Sequence, residues 1–298
     1  MIAPIVVFVY NRVDKAQKML DSLSANEIAI ESDLFVFSDG PKKPNDEKVA
    51  SVRSFLDSYD FNSKFKSTKI IKAEKNKGLA CSVITGVSKV INEYGKVIVV
   101  EDDNIVASDF LTYMNGALDY YENKKSIWSI SGYSHIEPQN YNHDVYLMGR
   151  INSYAWATWK RSWEKTDWKV KQYKKFKFNL SKRHQFNKYG NDSSIMLDAQ
   201  MAGAIDSWAI RFSFAMFCEK MYTIYPSVSK AHNIGEDGSG THVATSKVDS
   251  SVSFSNKVTR FENVKLDEKI IKQFSKAVHR KMITRVKYFV KYAVLGRK

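Results

Sequence analysis

The sequence predicts an α/β fold: a mostly parallel sheet flanked by helices, with a basic amphipathic helix at the C-terminus. In roughly the first hundred residues, apolar runs of strand length alternate with segments of helical period, the order expected of βαβ units. Polar and charged residues gather directly after those runs. Near the end of the chain, apolar residues recur every third or fourth position among Lys and Arg.

The elements follow in order. Residues 5–10 form a first strand and 16–23 a helix. Leu34-Phe35-Val36-Phe37 is a second strand, closed by Ser38-Asp39-Gly40-Pro41, where adjacent Gly and Pro mark a turn. Residues 46–59 are helical, and Thr68-Lys69-Ile70-Ile71 is a third strand that runs into Asn76-Lys77-Gly78-Leu79. A helix over 80–94 stops at Gly95, and Val97-Ile98-Val99-Val100 is a buried strand ending in Glu101-Asp102-Asp103. Residues 108–122 read as a helix, 127–132 as a strand and 133–144, with Pro138, as a loop. Trp156, Trp159, Trp163 and Trp168 crowd one short stretch, either as core or as platforms for sugar rings. Residues 196–221 follow a helical pattern that includes Asp206-Ser207-Trp208; an acid among apolar neighbours is costly unless paired or functional.

Composition sets limits on class. A chain of 298 residues, 44% hydrophobic, can bury a sizeable core as one large domain or a domain with an appendage. Cys81 and Cys218 both fall in helical segments, which predicts core thiols in a reducing compartment and not a disulfide framework. The N-terminal apolar run is too short to span a bilayer and lacks the features of a signal peptide, so it is expected to be a strand of a cytoplasmic protein. Of the net charge of +14, the residues after Glu268 supply +10 without a single acid. Ile271, Phe274, Val278, Met282, Val286, Phe289 and Ala293 draw an apolar stripe there, which reads as a helix lying on an anionic membrane surface. No nucleic-acid-binding motif accompanies the charge.

The chemistry gathers at strand ends, the edge at which open α/β sheets bind ligands: Asn11 and Arg12, then Asp39, then Lys77 and Gly78, then Glu101 to Asp103. Because side chains alternate along a strand, consecutive acids at its end can divide their work between a divalent metal and a sugar or ribose. Such hard oxygen ligands favour Mn2+ or Mg2+. Neither G-x-G-x-x-G nor G-x-x-x-x-G-K-[ST] is present, so dinucleotide and P-loop chemistry are not supported. Residues 229–242 form a Gly-rich segment with His232 and His242, able to bring backbone amides to phosphate and a neutral His to a metal.

In the order and spacing of Asn11-Arg12, Ser38-Asp39-Gly40, Asn76-Lys77-Gly78-Leu79 and Val99-Val100-Glu101-Asp102-Asp103, the chain resembles nucleotide-sugar glycosyltransferases of the Rossmann-like GT-A fold. Ala107-Ser108-Asp109-Phe110 and Asp206-Ser207-Trp208 narrow the resemblance to the N-acetylglucosaminyltransferase I type and its bacterial polysaccharide-biosynthesis relatives. It covers residues 1–245, implying a nucleotide-binding half (1–103), an acceptor-binding half (104–245), and outside them a linker with the basic helical segment (246–298). The resemblance implies Asp103 as the metal ligand, joined by His242 in preference to His232. It places Glu101 and Asp102 on the donor's sugar and ribose, and Asn11, Arg12, Asp39, Lys77 and Gly78 around the nucleotide. Asp206 is the implied general base of an inverting transfer, taking the acceptor hydroxyl's proton. The expected donor is a UDP-sugar, with GlcNAc as one candidate sugar. The expected acceptor is a glycan on a lipid diphosphate at the inner face of a bacterial membrane, feeding O-antigen or capsule. The competing readings are a nucleotidyltransferase, which lacks here the basic Gly-rich loop after the first strand, and a non-catalytic glycan- or membrane-binding protein.

Overall fold

The computed structural model describes residues 1–235, 254 and 257–297. Strands β1 (Ile5–Val9), β2 (Asp33–Ser38), β3 (Ser67–Lys72) and β4 (Lys96–Glu101) alternate with helices α1 (Val13–Ser24), α2 (Glu47–Ser58) and α3 (Leu79–Tyr94). All five residues of β1 are buried, as a strand covered on both faces requires. Asp46 caps α2 by accepting from the Val49 amide. Gly78 enters α3 and Gly95 leaves it, both at positive φ (75° and 76°), where a side chain would be strained.

The second half adds β5 (Asn104–Val106), α4 (Phe110–Tyr120), β6 (Ile127–Ser131), β7 (Val145–Met148) and β8 (Trp156–Trp159). Short helices α5 (Lys160–Trp163), α6 (Tyr173–Phe176) and α7 (Leu180–Phe186) precede α8 (Ser193–Met201) and α9 (Trp208–Cys218), which lead into β9 (Tyr222–Pro226) and β10 (Ala231–Asn233). The eight-stranded sheet runs β3-β2-β1-β4-β8-β6-β9-β7, and β5 and β10 pair as a separate antiparallel ribbon. Only β7 and β8 oppose the other strands of the large sheet, so its edge of strand C-termini runs from β3 to β4 and resumes at β6 and β9 on the far side of β8. One core packs β1, β2 and β4 against α1 and α4. A second, on the other face, joins α3 to Trp128, Trp156, Trp163 and Trp208.

Three expectations are corrected. The helical pattern over 196–221 is two helices, because Gly203 (φ 71°) ends α8 in a conformation that a helix cannot continue. Cys81 is exposed and Cys218 half-buried, so neither is a core thiol. The C-terminal stripe is not one continuous surface helix. Helix α10 (Glu268–Ala277) buries Ile270, Ile271 and Phe274 against Tyr146, Met148 and Tyr225, and only α11 (Met282–Tyr288), followed by a π-helical turn over Phe289–Val294, carries an outward apolar face. Further upstream, Phe261 sits among Tyr113, Tyr120 and Tyr121, and the Tyr121 hydroxyl donates to the Glu262 carbonyl at 2.6 Å. Residues 261–277 are therefore part of the domain; the expected boundary at 245/246 lies outside the described residues.

Cutting the chain before Lys269 should consequently destabilise the domain, contrary to what a free-standing helix predicts. Phe274 has no exposed surface. Phe274→Ala should cost about 3–5 kcal/mol, the usual range for a buried aromatic, read as a lowered urea midpoint. A midpoint equal to that of the wild type would return α10 to the surface.

Candidate active site

The C-terminal edge of β1 and β4 brings Arg12 against the acids. Arg12 precedes α1, and its Nη2 bonds Asp102 and, at 3.0 Å, Asp103. Its Nη1 is buried with no acceptor among the described residues, an orphan donor that an anionic ligand oxygen could satisfy. Burial, opposed by Arg12, pushes Asp102 up to about 6. Burial followed by the charges of Asp103 and Asp102 pushes Glu101 up to about 8, although the Trp208 side chain lies close to it and favours its charged form. Trp208 opens α9, where Ser207 caps the helix by accepting from the Ile210 amide at 3.3 Å. The helix thus begins at the acids, and stacking of Trp208 on Trp156 of β8 (4.7 Å between centroids) holds it there.

Asp103 is held from another side. Pairing of β10 with β5 sets Asn233 opposite Asn104, and the Asn104 and Asn233 amides donate to Asp103 Oδ1 at 3.1 and 3.0 Å. The Ile234 amide donates to the Asp103 carbonyl at 2.7 Å, and Lys15 Nζ to the Ile234 carbonyl at 2.7 Å. A Cβ on Gly235 would fall 2.5 Å from Asp103 Oδ2, so this position has room only for glycine. His232 lies in β10 opposite Ile105; His242 lies outside the described residues.

Asp39, just past the end of β2, braces the loop that follows β3. Its two carboxylate oxygens accept from the Gly40, Lys77 and Gly78 amides and from Asn76 Nδ2, at 2.8–3.1 Å, which fills its acceptor capacity. It shapes the 76–78 loop that leads into α3. Beside it, a cavity of about 500 Å³ lies between Phe37, Ile71, Lys75, Lys77 and Ser82. Asn11 is half-buried beside Arg12 at the same edge. Asp206 is exposed and paired with Arg211 at 2.7 Å, two residues from the Trp208 that lies close to Glu101.

Trp208, Asn233 and Gly235 stand at the site although the sequence singled them out only within longer segments, 206–208 and 229–242. Trp208 is the third residue of the Asp-x-Trp signature. The other two depend on pairing between strands of three residues each, too short for any pattern to declare.

No group of three or more His, Cys, Asp and Glu among the described residues could enclose a metal ion by itself. Asp103, whose oxygens here accept from Arg12, Asn104 and Asn233, offers the single carboxylate of a divalent site completed by phosphate oxygens and water.

The raised acids set a pH dependence. Folded Glu101 keeps its proton to about 8, whereas the unfolded side chain releases it near 4.5, so between those values the unfolded state binds fewer protons and stability falls as pH rises. Asp102 acts in the same direction below about 6. His135, lowered to about 4 by burial, acts oppositely up to its ordinary 6.5. Among the shifted groups of the described residues, Glu101 is the one that titrates between 6.5 and 8. Without metal, unfolding free energy should fall there by up to about 1.4 kcal/mol per pH unit, and Glu101→Gln should flatten the slope. Equal slopes for the two proteins would remove Glu101 as its source.

No protein-family model matches the chain, and no curated protein does. Among solved structures it is similar to the mannosyltransferase PcManGT from Pyrobaculum calidifontis in complex with GDP-Man and Mn2+, at 12% identity over 56% of this chain and 46% of that one, TM-score 0.39. It is similar also to S. aureus TarS 1-349, at 12% identity over 80% of this chain and 62% of that one, TM-score 0.45. Against TarS 1-349 in complex with UDP the identity is 17% over 44% and 34%, TM-score 0.31. The chain spans less than two thirds of each of these proteins. The functional reading rests on the geometry.

Proposed function

We propose that this chain is a metal-dependent, inverting glycosyltransferase of GT-A type that moves a sugar from a UDP-sugar to a glycan acceptor. The observation that carries the reading is the meeting of Arg12, Glu101, Asp102 and Asp103 at one sheet edge, with the first turn of α9 laid against Glu101. An orphan guanidinium nitrogen beside a triad of acids suits a diphosphate that arrives with a divalent cation.

In this reading the cavity beside Asp39 takes the nucleoside, its walls carrying Lys75 and Lys77 and its loop held by Asp39. Arg12 orients the phosphates through its free Nη1, with the Lys77 side chain adding positive charge beside them. Mn2+ or Mg2+, when bound by Asp103, supplies positive charge against the departing diphosphate. Glu101 and Asp102 orient the donor's sugar and ribose. Asp206, on the open side of α9, accepts the acceptor hydroxyl's proton while that oxygen attacks the anomeric carbon on the face away from UDP. Arg211 holds the Asp206 carboxylate in place. The acceptor half is the part of the edge formed by β8, β6 and β9. We take the acceptor to be a glycan on a lipid diphosphate at the inner face of a bacterial membrane, in surface polysaccharide synthesis.

A thermal-shift series with Mn2+ and a panel of nucleotide sugars tests the reading, because a ligand that binds only the folded state raises its melting temperature. A UDP-sugar should give the largest rise, and the sugar it transfers should appear with inverted anomeric configuration. No rise with any nucleotide sugar would remove the donor site; retained configuration would remove inversion.

A further inference from the structure

The charge of this chain belongs to two stretches, not one. The tail after Glu268 carries ten Lys and Arg, and residues 168–191 carry eight more with no acid, so against a total of +14 the remainder of the chain is net −4. The fold brings the two stretches together. Phe178 meets Phe289 at 6.5 Å between centroids, the Arg183 guanidinium lies 4.7 Å from the Phe289 ring, and Asn191 bonds the Arg280 amide and carbonyl at 2.7 and 3.0 Å. Arg183 is itself fixed by a bidentate pair with buried Asp198 (2.7 and 2.9 Å), so the seam is anchored in the domain.

Large apolar side chains stand out of this basic ground. Leu180 is 77% exposed and Ile283 82%, with Phe178, Met282, Val286 and Val290 exposed beside them. On α11 and the π-helical turn after it these fall at positions 282, 283, 286 and 290, on one side, while Ala293 turns inward. Among the described residues, Lys174, Lys175, Lys177 and Lys182 on one segment and Lys281, Lys287 and Lys291 on the other have no acidic partner. Two other occupants fit less well. A second copy would set like charge on like, and a polyanion such as nucleic acid would use the cations but leave the apolar side chains wet.

We propose that the α6–α7 turn around Phe178 and Leu180 and the outer face of α11 form one composite docking surface for an anionic lipid bilayer, with the apolar side chains entering the interface and the lysines meeting the headgroups. This deepens the membrane element of the proposed function by giving it a surface with a second, unexpected half. Its test reads vesicle binding alone, so its failure leaves sugar transfer standing, and loss of the transferase reading leaves the surface.

The experiment is co-sedimentation of the full chain with phosphatidylcholine vesicles, with and without phosphatidylglycerol. Binding should require phosphatidylglycerol and weaken as salt rises through about 0.1 M, where the screening length is about 10 Å. The double variant Leu180→Ser/Ile283→Ser, altered only at exposed side chains, should melt like the wild type and partition roughly tenfold less or worse at equal salt. The single variant Leu180→Ser should show part of that loss, since it tests the half of the surface outside the tail. Unchanged partitioning of either variant would mean that charge alone adsorbs the protein and would overturn the composite surface. So would failure of the wild type to bind phosphatidylglycerol vesicles at low salt, or a dimer in solution that Ile283→Ser dissociates.

Discussion

Asp103→Asn should lower Mn-dependent affinity for UDP by more than roughly a hundredfold, since replacing even an outer partner of a metal ligand costs about 10–100-fold. The substitution keeps the shape and one carbonyl oxygen to accept from Asn104 and Asn233, so the β5–β10 ribbon should stay paired. Arg12 loses one of its two partners and keeps Asp102. The loss should therefore appear in the presence of Mn2+, while the weak metal-free affinity changes little. Isothermal titration of both proteins with and without Mn2+ separates the effects. Equal Mn-dependent affinity in the variant would make the strand-end acids an ordinary turn.

Asp206→Asn should lower transfer by roughly 10²–10⁴-fold, the usual consequence of losing a general base, with donor affinity nearly intact. The folded state has little at stake, because the Asp206–Arg211 pair is exposed on the acid's side and such pairs contribute little. Single-turnover rates measured at saturating donor read the chemical step directly. A variant that transfers at the wild-type rate would take Asp206 out of the mechanism and leave proton removal to another group at the mouth of the cleft.

The parallel half of the fold was legible because its apolar runs are continuous and its helices are bounded by recognisable signals: Asp46 before α2, Gly78 and Gly95 around α3. Buried parallel strands must be apolar on both faces, and residues 5–9 and 97–100 are. Beyond residue 120 the signal thins. Helices α5 and α6 have four residues each, shorter than any period can reveal, and β8 announced itself only as tryptophans. The tail misled for a different reason. Its stripe continues in phase through residues 278–281, and what divides α10 from α11 is tertiary: Asn191 bonds the backbone of Arg280, a contact that no local pattern carries.

The site divides in the same way. That Arg12, Asp39 and the acids share an edge follows from strand order, which the alternation of elements already implies. What each carboxylate does there does not. Asp39, expected at the nucleotide, is in the fold the staple of the 76–78 loop, where four donors converge on it. The resemblance puts Glu101 with Asp102 on the donor's sugar and ribose, and what sets it apart in the fold is burial and the nearness of Trp208, a residue more than a hundred positions away.

The most direct test of the central claim is calorimetric titration of UDP into the wild-type protein with and without Mn2+. The geometry of Arg12 and Asp103 predicts saturable binding of one UDP per chain that depends on Mn2+ and is lost when the metal is chelated. Absence of binding, or binding indifferent to the metal, would contradict the assignment of this sheet edge as a nucleotide-sugar site.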